Sequence, residues 1–152
     1  MTHMKKNILV VDDSALMRRV MCDIINSDSK FQATDYCRDG LEAYEKLKHT
    51  SYDGVVLDVN MPRMDGLQLL EKLQKEGIRA NVVMVSTLTD SREADVTILA
   101  MERGAIDFVA KPTNIIEAKG EAFKRQLLGV LNAVLATQKA AESAVSYTHL
   151  TL

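Results

Sequence analysis

At 152 residues and 47% hydrophobic content, the chain suits one globular domain with an extension, not two domains. Its 19 basic and 21 acidic residues leave a formal charge of -2, so there is no broad field to attract nucleic acid or an anionic membrane surface. Two cysteines without Cys-x-x-Cys spacing, no signal-peptide pattern and no apolar run near the ~20 residues of a bilayer span predict a reduced, cytoplasmic chain without membrane insertion.

The first element is "NILVV", Asn7 to Val11, a continuous apolar run of the kind a strand covered on both faces shows. Ser14 is a good N-cap. Behind it Leu16, Val20 and Ile24 recur every fourth position beside Met17, Met21 and Ile25, while Arg18, Arg19 and Asp23 take the other side, predicting an amphipathic helix that ends near Asp28. The pattern then repeats. "QATDYC" reads as a weaker strand, "GLEAYEKLKH" as a helix after Asp39, "DGVVLD" as a strand and "GLQLLEKLQKE" as a helix closed by Gly77. "NVVMVS" and "READVTILAMERG" form the fourth pair. "AIDFVA" and a long helix from about Glu117 toward Lys139 form the fifth.

Five strand and helix pairs in strict alternation predict an α/β fold, a doubly wound parallel sheet with helices on both faces, because every parallel connection needs a crossover. In such sheets function gathers at the carboxyl ends of the strands. Asp12 and Asp13 end the first strand, Asp58 the third and Ser86 the fourth, and Lys111 follows the fifth. If these meet on one edge, three carboxylates repel one another unless one takes a proton or a cation intervenes. Oxygen ligands without clustered His or Cys favour Mg²⁺ over zinc. A carboxylate beside Mg²⁺ can attack a phosphoryl group, with a fixed ammonium such as Lys111 neutralising charge and Ser86 donating a hydroxyl.

The set "VVDDS", "LDVNMPRMDG", "MVS" and "FVAKP", in this order and at strand ends, resembles the receiver domain of two-component response regulators over about Lys5 to Lys124. The resemblance implies a flavodoxin-like (βα)5 fold with five parallel strands in the order 2-1-3-4-5. It implies that Asp58 accepts a phosphoryl group from a histidine kinase, and that Asp13, Asp58 and the backbone carbonyl of Asn60 bind Mg²⁺, with Asp12 acting through water. Ser86 and Lys111 would sense the phosphate, Phe108 would be the aromatic of the switch, and Pro112 would follow a cis bond. Within the family, "VDDSALMRRVMCDIINSD", "VVMVSTLT" and "GAIDFVAKP" are most similar to the regulatory half of the chemotaxis protein-glutamate methylesterases, and "KGEAFKRQLLGVLNAVLA" to their interdomain linker. Asn60 stands where that pattern often has Glu, and Phe108 where free-standing receivers often have Tyr. The implied partners are a chemotaxis-type sensor histidine kinase and, in a methylesterase parent, its own C-terminal esterase domain and the chemoreceptors. No Gly-x-Ser-x-Gly elbow is present, and His3, His49 and His149 lack plausible Ser and Asp partners, so no hydrolase residues are expected.

The expected division is an N-terminal extension or scar over residues 1–4, a receiver over 5–124, and a helical extension and linker stump over 125–152 without an output domain. Simpler readings stand beside the sharp ones. Asp12 and Asp13 also suit the start of a helix, Asp58 a turn before Asn60 and Pro62, and Lys111 a solvated position. Arg63 and Asp65 in "PRMD" are expected to shape a loop and a helix start, and Cys22, Cys37 and the methionines to pack. Two other functions fit the same residues: a receiver that acts only by docking, and a Mg²⁺-dependent phosphatase with an aspartyl nucleophile. The phosphatase usually carries a second acid two residues after the nucleophile, where this chain has Asn60.

Overall fold

A computed structural model of the chain describes residues 4–87 and 93–136. Five strands, β1 (Lys6–Val11), β2 (Phe31–Cys37), β3 (Gly54–Leu57), β4 (Val82–Ser86) and β5 (Ala105–Ala110), form one parallel sheet in the order β2-β1-β3-β4-β5. The reversal of order at β1 places β1 and β3 side by side in the middle, so their carboxyl ends border one crevice.

Alternation along β1 divides the core. Ile8 and Val10 point to one face, where they meet Val20, Met21, Ile24 and Ile25 of α1 (Ala15–Asn26) and Phe123, Leu127 and Leu131 of α6 (Glu121–Leu131). Leu9 and Val11 point to the other, against Ala43 and Leu47 of α2 (Gly40–His49), Leu69, Leu70 and Leu73 of α3 (Gly66–Lys75) and Ala100 of α4 (Glu93–Glu102). A strand buried on both sides has no polar alternation to show, which is why "ILVV" is apolar throughout.

Helix starts follow side-chain chemistry. Ser14 accepts from the Met17 amide at 3.2 Å and Asp39 from the Glu42 amide at 2.9 Å. Asp65 forms a capping box with Gln68. Each supplies an acceptor to an N–H that the helix itself leaves unpaired.

The C-terminal region departs from expectation. In place of one long helix from Glu117, a single turn, α5 (Ile115–Ala118), is capped by Asn114 and stops, and α6 restarts after Gly120, whose extended backbone (φ -82°, ψ 168°) breaks the helical path. α6 then runs into a π-helical turn over Asn132–Ala136. Leu127 and Leu131 of α6, with Leu135 beyond, are buried in the core. Truncating any of these leucines to alanine removes about 3 kcal/mol of packing. The expected helix end near Lys139, the tail over 140–152 and the first three residues lie outside the described residues. No helix among the described residues is long and apolar enough to cross a membrane.

Candidate metal and phosphoacceptor site

The backbone ladder continues past the strand ends and carries the polar residues with it. The Asp12 amide donates to Cys37 O at 3.1 Å, the Asp58 amide to Val11 O at 2.9 Å, and the Lys111 amide to Ser86 O at 2.8 Å. Asp12, Asp58 and Ser86 are consequently buried at the edge of the sheet, whereas Asp13, one residue further along, is exposed. Carboxylate oxygens of Asp12, Asp13 and Asp58 all lie within 4.8 Å of one another.

Lys111 joins this cluster. Its Nζ lies 2.9 Å from Asp12 Oδ2 and 3.1 Å from Asp58 Oδ2, with a side chain 10% exposed. One ammonium against three carboxylates leaves net negative charge in a place with little water. Burial, reinforced by the charges of Asp12 and Asp13 and only partly opposed by Lys111, pushes the Asp58 carboxyl up to about 6. Burial also works against a charged Lys111, but Asp58 and Asp12 more than offset it and hold the ammonium above the ordinary lysine range. The residues therefore fit a hard divalent cation: the donors are oxygens, they converge, and their charge is under-compensated.

The other expected residues fall around this centre. Ser86 is buried at the end of β4. Phe108 is half-buried on β5 and packs into the α2-α3-α4 face of the core. Asn60 is exposed in the loop that follows β3. The expected cis bond before Pro112 is not found: no peptide among the described residues is cis. The trans form is favoured by about 0.5–1 kcal/mol in X–Pro bonds, and with it Lys111 already holds the Ser86 carbonyl and reaches both carboxylates. Cys37 is buried, its thiol pushed up to about 12 chiefly by that burial, and Cys22 is half-buried.

Sequence reasoning missed three supporting contacts. Arg18 donates from Nη1 to the Asp12 carbonyl at 2.9 Å while its guanidinium lies 5.4 Å from the Tyr36 ring centre. The Ser14 amide donates to Asp12 Oδ1 at 2.8 Å. Arg63 does not pair with Asp65 but reaches Asp39, 24 residues back. The first two were in principle readable, since both face the strand end from the helix that follows it. The third depends on the sheet order and had no local signal.

Comparisons with known proteins agree with this geometry. The pattern of the response regulator receiver domain matches residues 8–120. The chain is 45% identical over 124 residues to a protein-glutamate methylesterase/protein-glutamine glutaminase of Pyrococcus horikoshii, covering 82% of this chain and 33% of that protein. To the protein of the same name in Escherichia coli K12 it is 50% identical over 109 residues, covering 71% and 30%. The chain thus spans about a third of the length of these curated relatives. Among solved structures, the response regulator domain of Thermotoga maritima CheB superposes with a TM-score of 0.75 at 34% identity, over 88% of this chain and 98% of that one. A chain of the CheX-CheY-BeF3-Mg complex of Borrelia burgdorferi gives 0.70 at 29% identity, over 85% and 88%. From the five-stranded order, the acidic strand ends and these matches, the chain belongs to the response regulator receiver domain family, on the branch related to chemotaxis CheB.

Proposed function

We propose that the chain is a phosphorylation-controlled switch in which Asp58 accepts a phosphoryl group from the phosphohistidine of a chemotaxis-type sensor histidine kinase, with Mg²⁺ as the cation of the acidic cluster. One observation carries this reading: three carboxylates converge within 4.8 Å around a single ammonium that contacts two of them. A purely structural edge has no use for such an imbalance. Asp13, Asp58 and the Asn60 carbonyl are the proposed direct ligands, and Asp12 acts through water. Bound there, Mg²⁺ would supply positive charge to offset that of the transferring group.

At neutral pH Asp58 is above its value of about 6 and is ionised. Its oxygen attacks phosphorus; an O–P bond forms as the bond from phosphorus to the donor nitrogen breaks, and that nitrogen keeps the electron pair. Lys111, fixed by Asp12, moves its charge toward the new phosphate. Ser86 supplies a hydroxyl donor from the next strand, which leaves room for Phe108 to repack and biases the face built from α4, β5 and α6 between two arrangements. The solved relative bound to BeF3 and Mg supports the pairing of cation and phosphate chemistry in this fold. Since the chain spans about a third of its methylesterase relatives, the switch in a full-length protein would govern an esterase domain acting on chemoreceptor glutamates, in the cytoplasm.

Intact mass after incubation with Mg²⁺ and acetyl phosphate tests the reading. One added phosphoryl group, lost in Asp58→Asn and in chelator, is the expected result. A folded protein that binds Mg²⁺ and gains no mass, even under rapid quench, would overturn it in favour of docking without phosphorylation.

A further inference from the structure

The loop between β3 and α3 carries a strained residue and faces a buried charge, neither of which the phosphoacceptor reading uses. Arg63 has φ +64°, a left-handed backbone that costs a residue with a Cβ about 1 kcal/mol or more. Asp39, at the head of α2, is a carboxylate only 3% exposed and outside the acidic cluster. The two meet. Arg63 Nε donates to Asp39 Oδ2 at 2.8 Å and Nη2 lies 2.6 Å from the same oxygen, while Asp39 Oδ1 accepts from the Glu42 amide. Beside them the Gly40 amide donates to Met64 O at 2.9 Å, and a Cβ at Gly40 would stand 2.5 Å from that oxygen. The loop therefore lies directly against the first turn of α2.

The ends of the loop are anchored separately. Asp58 is tied to Val11, Gly66 donates to Val59 O at 2.8 Å, and Asp65 caps α3. Between them Asn60, Pro62 and Arg63 are exposed. Met61 and Met64 pack partly buried against the core, and the ion pair to Asp39 is the tether of the exposed stretch around Arg63. Mg²⁺ accepts only near-ideal octahedral geometry, so a backbone carbonyl offered from this segment needs that tether.

We infer that Asp39 and Arg63 form a positioning clamp that holds the β3–α3 loop against α2 and thereby fixes the Asn60 carbonyl for the cation. Neither residue touches the reacting atoms. The strain at Arg63 is offset by the pairing of its guanidinium with a buried carboxylate whose other hydrogen-bond partners are backbone amides. The inference rests on the phosphoacceptor reading and adds the residues that set its cation dependence.

Two substitutions separate the clamp from the fold. Arg63→Gly removes the guanidinium while easing the left-handed backbone. Asp39→Asn keeps a good N-cap while removing the charge. In the full chain, the rate of labelling by acetyl phosphate is followed by intact mass across a Mg²⁺ titration, with melting temperature measured alongside. Either variant is expected to raise the Mg²⁺ concentration for half-maximal labelling roughly tenfold, the scale of losing a partner behind a metal ligand, while the rate at saturating Mg²⁺ stays near wild type. The double variant should be no worse than the worse single one, and Arg63→Lys, with the charge but not the fork, should recover part of the loss. A wild-type Mg²⁺ titration in Arg63→Gly and Asp39→Asn, or a lowered saturating rate with an unchanged midpoint, would overturn the clamp. Should one variant not fold, the midpoint in the other decides. No labelling of the wild-type chain would instead sink the phosphoacceptor reading on which the clamp depends.

Discussion

The two ends of the same strands are both polar, and they solve different problems. At the amino ends, Asn7, Gln32, Asp53 and Asn81 bind one another: the Asn7 amide donates to Asp53 Oδ2 at 2.7 Å, Gln32 Nε2 to Asn7 Oδ1 at 2.8 Å, and Asn81 Nδ2 to Asp53 O at 3.0 Å. One exposed carboxylate among neutral amides closes that edge with its charge in water. At the carboxyl ends, two buried carboxylates, Asp12 and Asp58, share a single lysine, and a third, the exposed Asp13, converges on them. The first edge is satisfied by its own residues, and the second is left short of positive charge. On the proposed reading, that shortfall is where the cation would act, because a stabilising edge has no reason to keep it.

The contrast can be broken from either side. Removing the acceptor has the largest expected effect: Asp58→Asn abolishes labelling by acetyl phosphate. Lys111→Met should lower the labelling rate at saturating Mg²⁺ by about 100-fold, the scale of losing one donor to developing charge, measured by quenched intact mass. At the amino edge, Asp53→Asn should cost about 0.5–1 kcal/mol in urea unfolding, the worth of an ordinary hydrogen bond, and leave labelling unchanged. Equal losses of labelling from Asp53→Asn and Lys111→Met would erase the distinction between the edges.

A subtler effect appears with pH. The Asp58 carboxyl is at about 6 in the fold against an ordinary 3.8. Between these values the folded chain holds a proton that the unfolded chain has released, so this group's contribution to stability is full below the lower value and is lost as pH rises through the upper one. Without Mg²⁺, the stability of Asp58→Asn relative to wild type should therefore be unaffected by this group near pH 4 and grow in the variant's favour up to pH 7. Saturating Mg²⁺ should flatten that growth. Urea unfolding of both proteins across this range checks the slope and its sign.

Much of this was legible in the sequence, and the limits have physical causes. Gly40 to His49 was readable to the residue because Asp39 caps it and its apolar spacing is regular. Asp12, Asp58 and Lys111 were placed on one edge because parallel topology brings strand ends together, whatever their distance along the chain. The break at Gly120 escaped because apolar residues continue on either side of it, Ile115, Ile116 and Ala118 before and Phe123, Leu127 and Leu131 after, so the sequence pattern shows no interruption. The cis bond expected before Pro112 came from the resemblance and not from a local pattern, and the bond is trans. The pairing of Arg63 with Asp39 was hidden as well: the sequence offers Asp65 as a nearer partner, but Asp65 is engaged in capping α3.

The central claim is that the carboxyl edge is built for a cation its own residues do not replace. It is tested most directly by thermal unfolding of wild type and Asp58→Asn at pH 7.5, in chelator and in excess Mg²⁺. Removing a buried, under-compensated charge should make the variant the more stable protein in chelator, by about 1–2 kcal/mol. Mg²⁺ should then stabilise wild type by more than the variant and reverse the order. A variant less stable in chelator, with Mg²⁺ shifting both proteins equally, would mean that Lys111 alone satisfies the edge and would contradict the account.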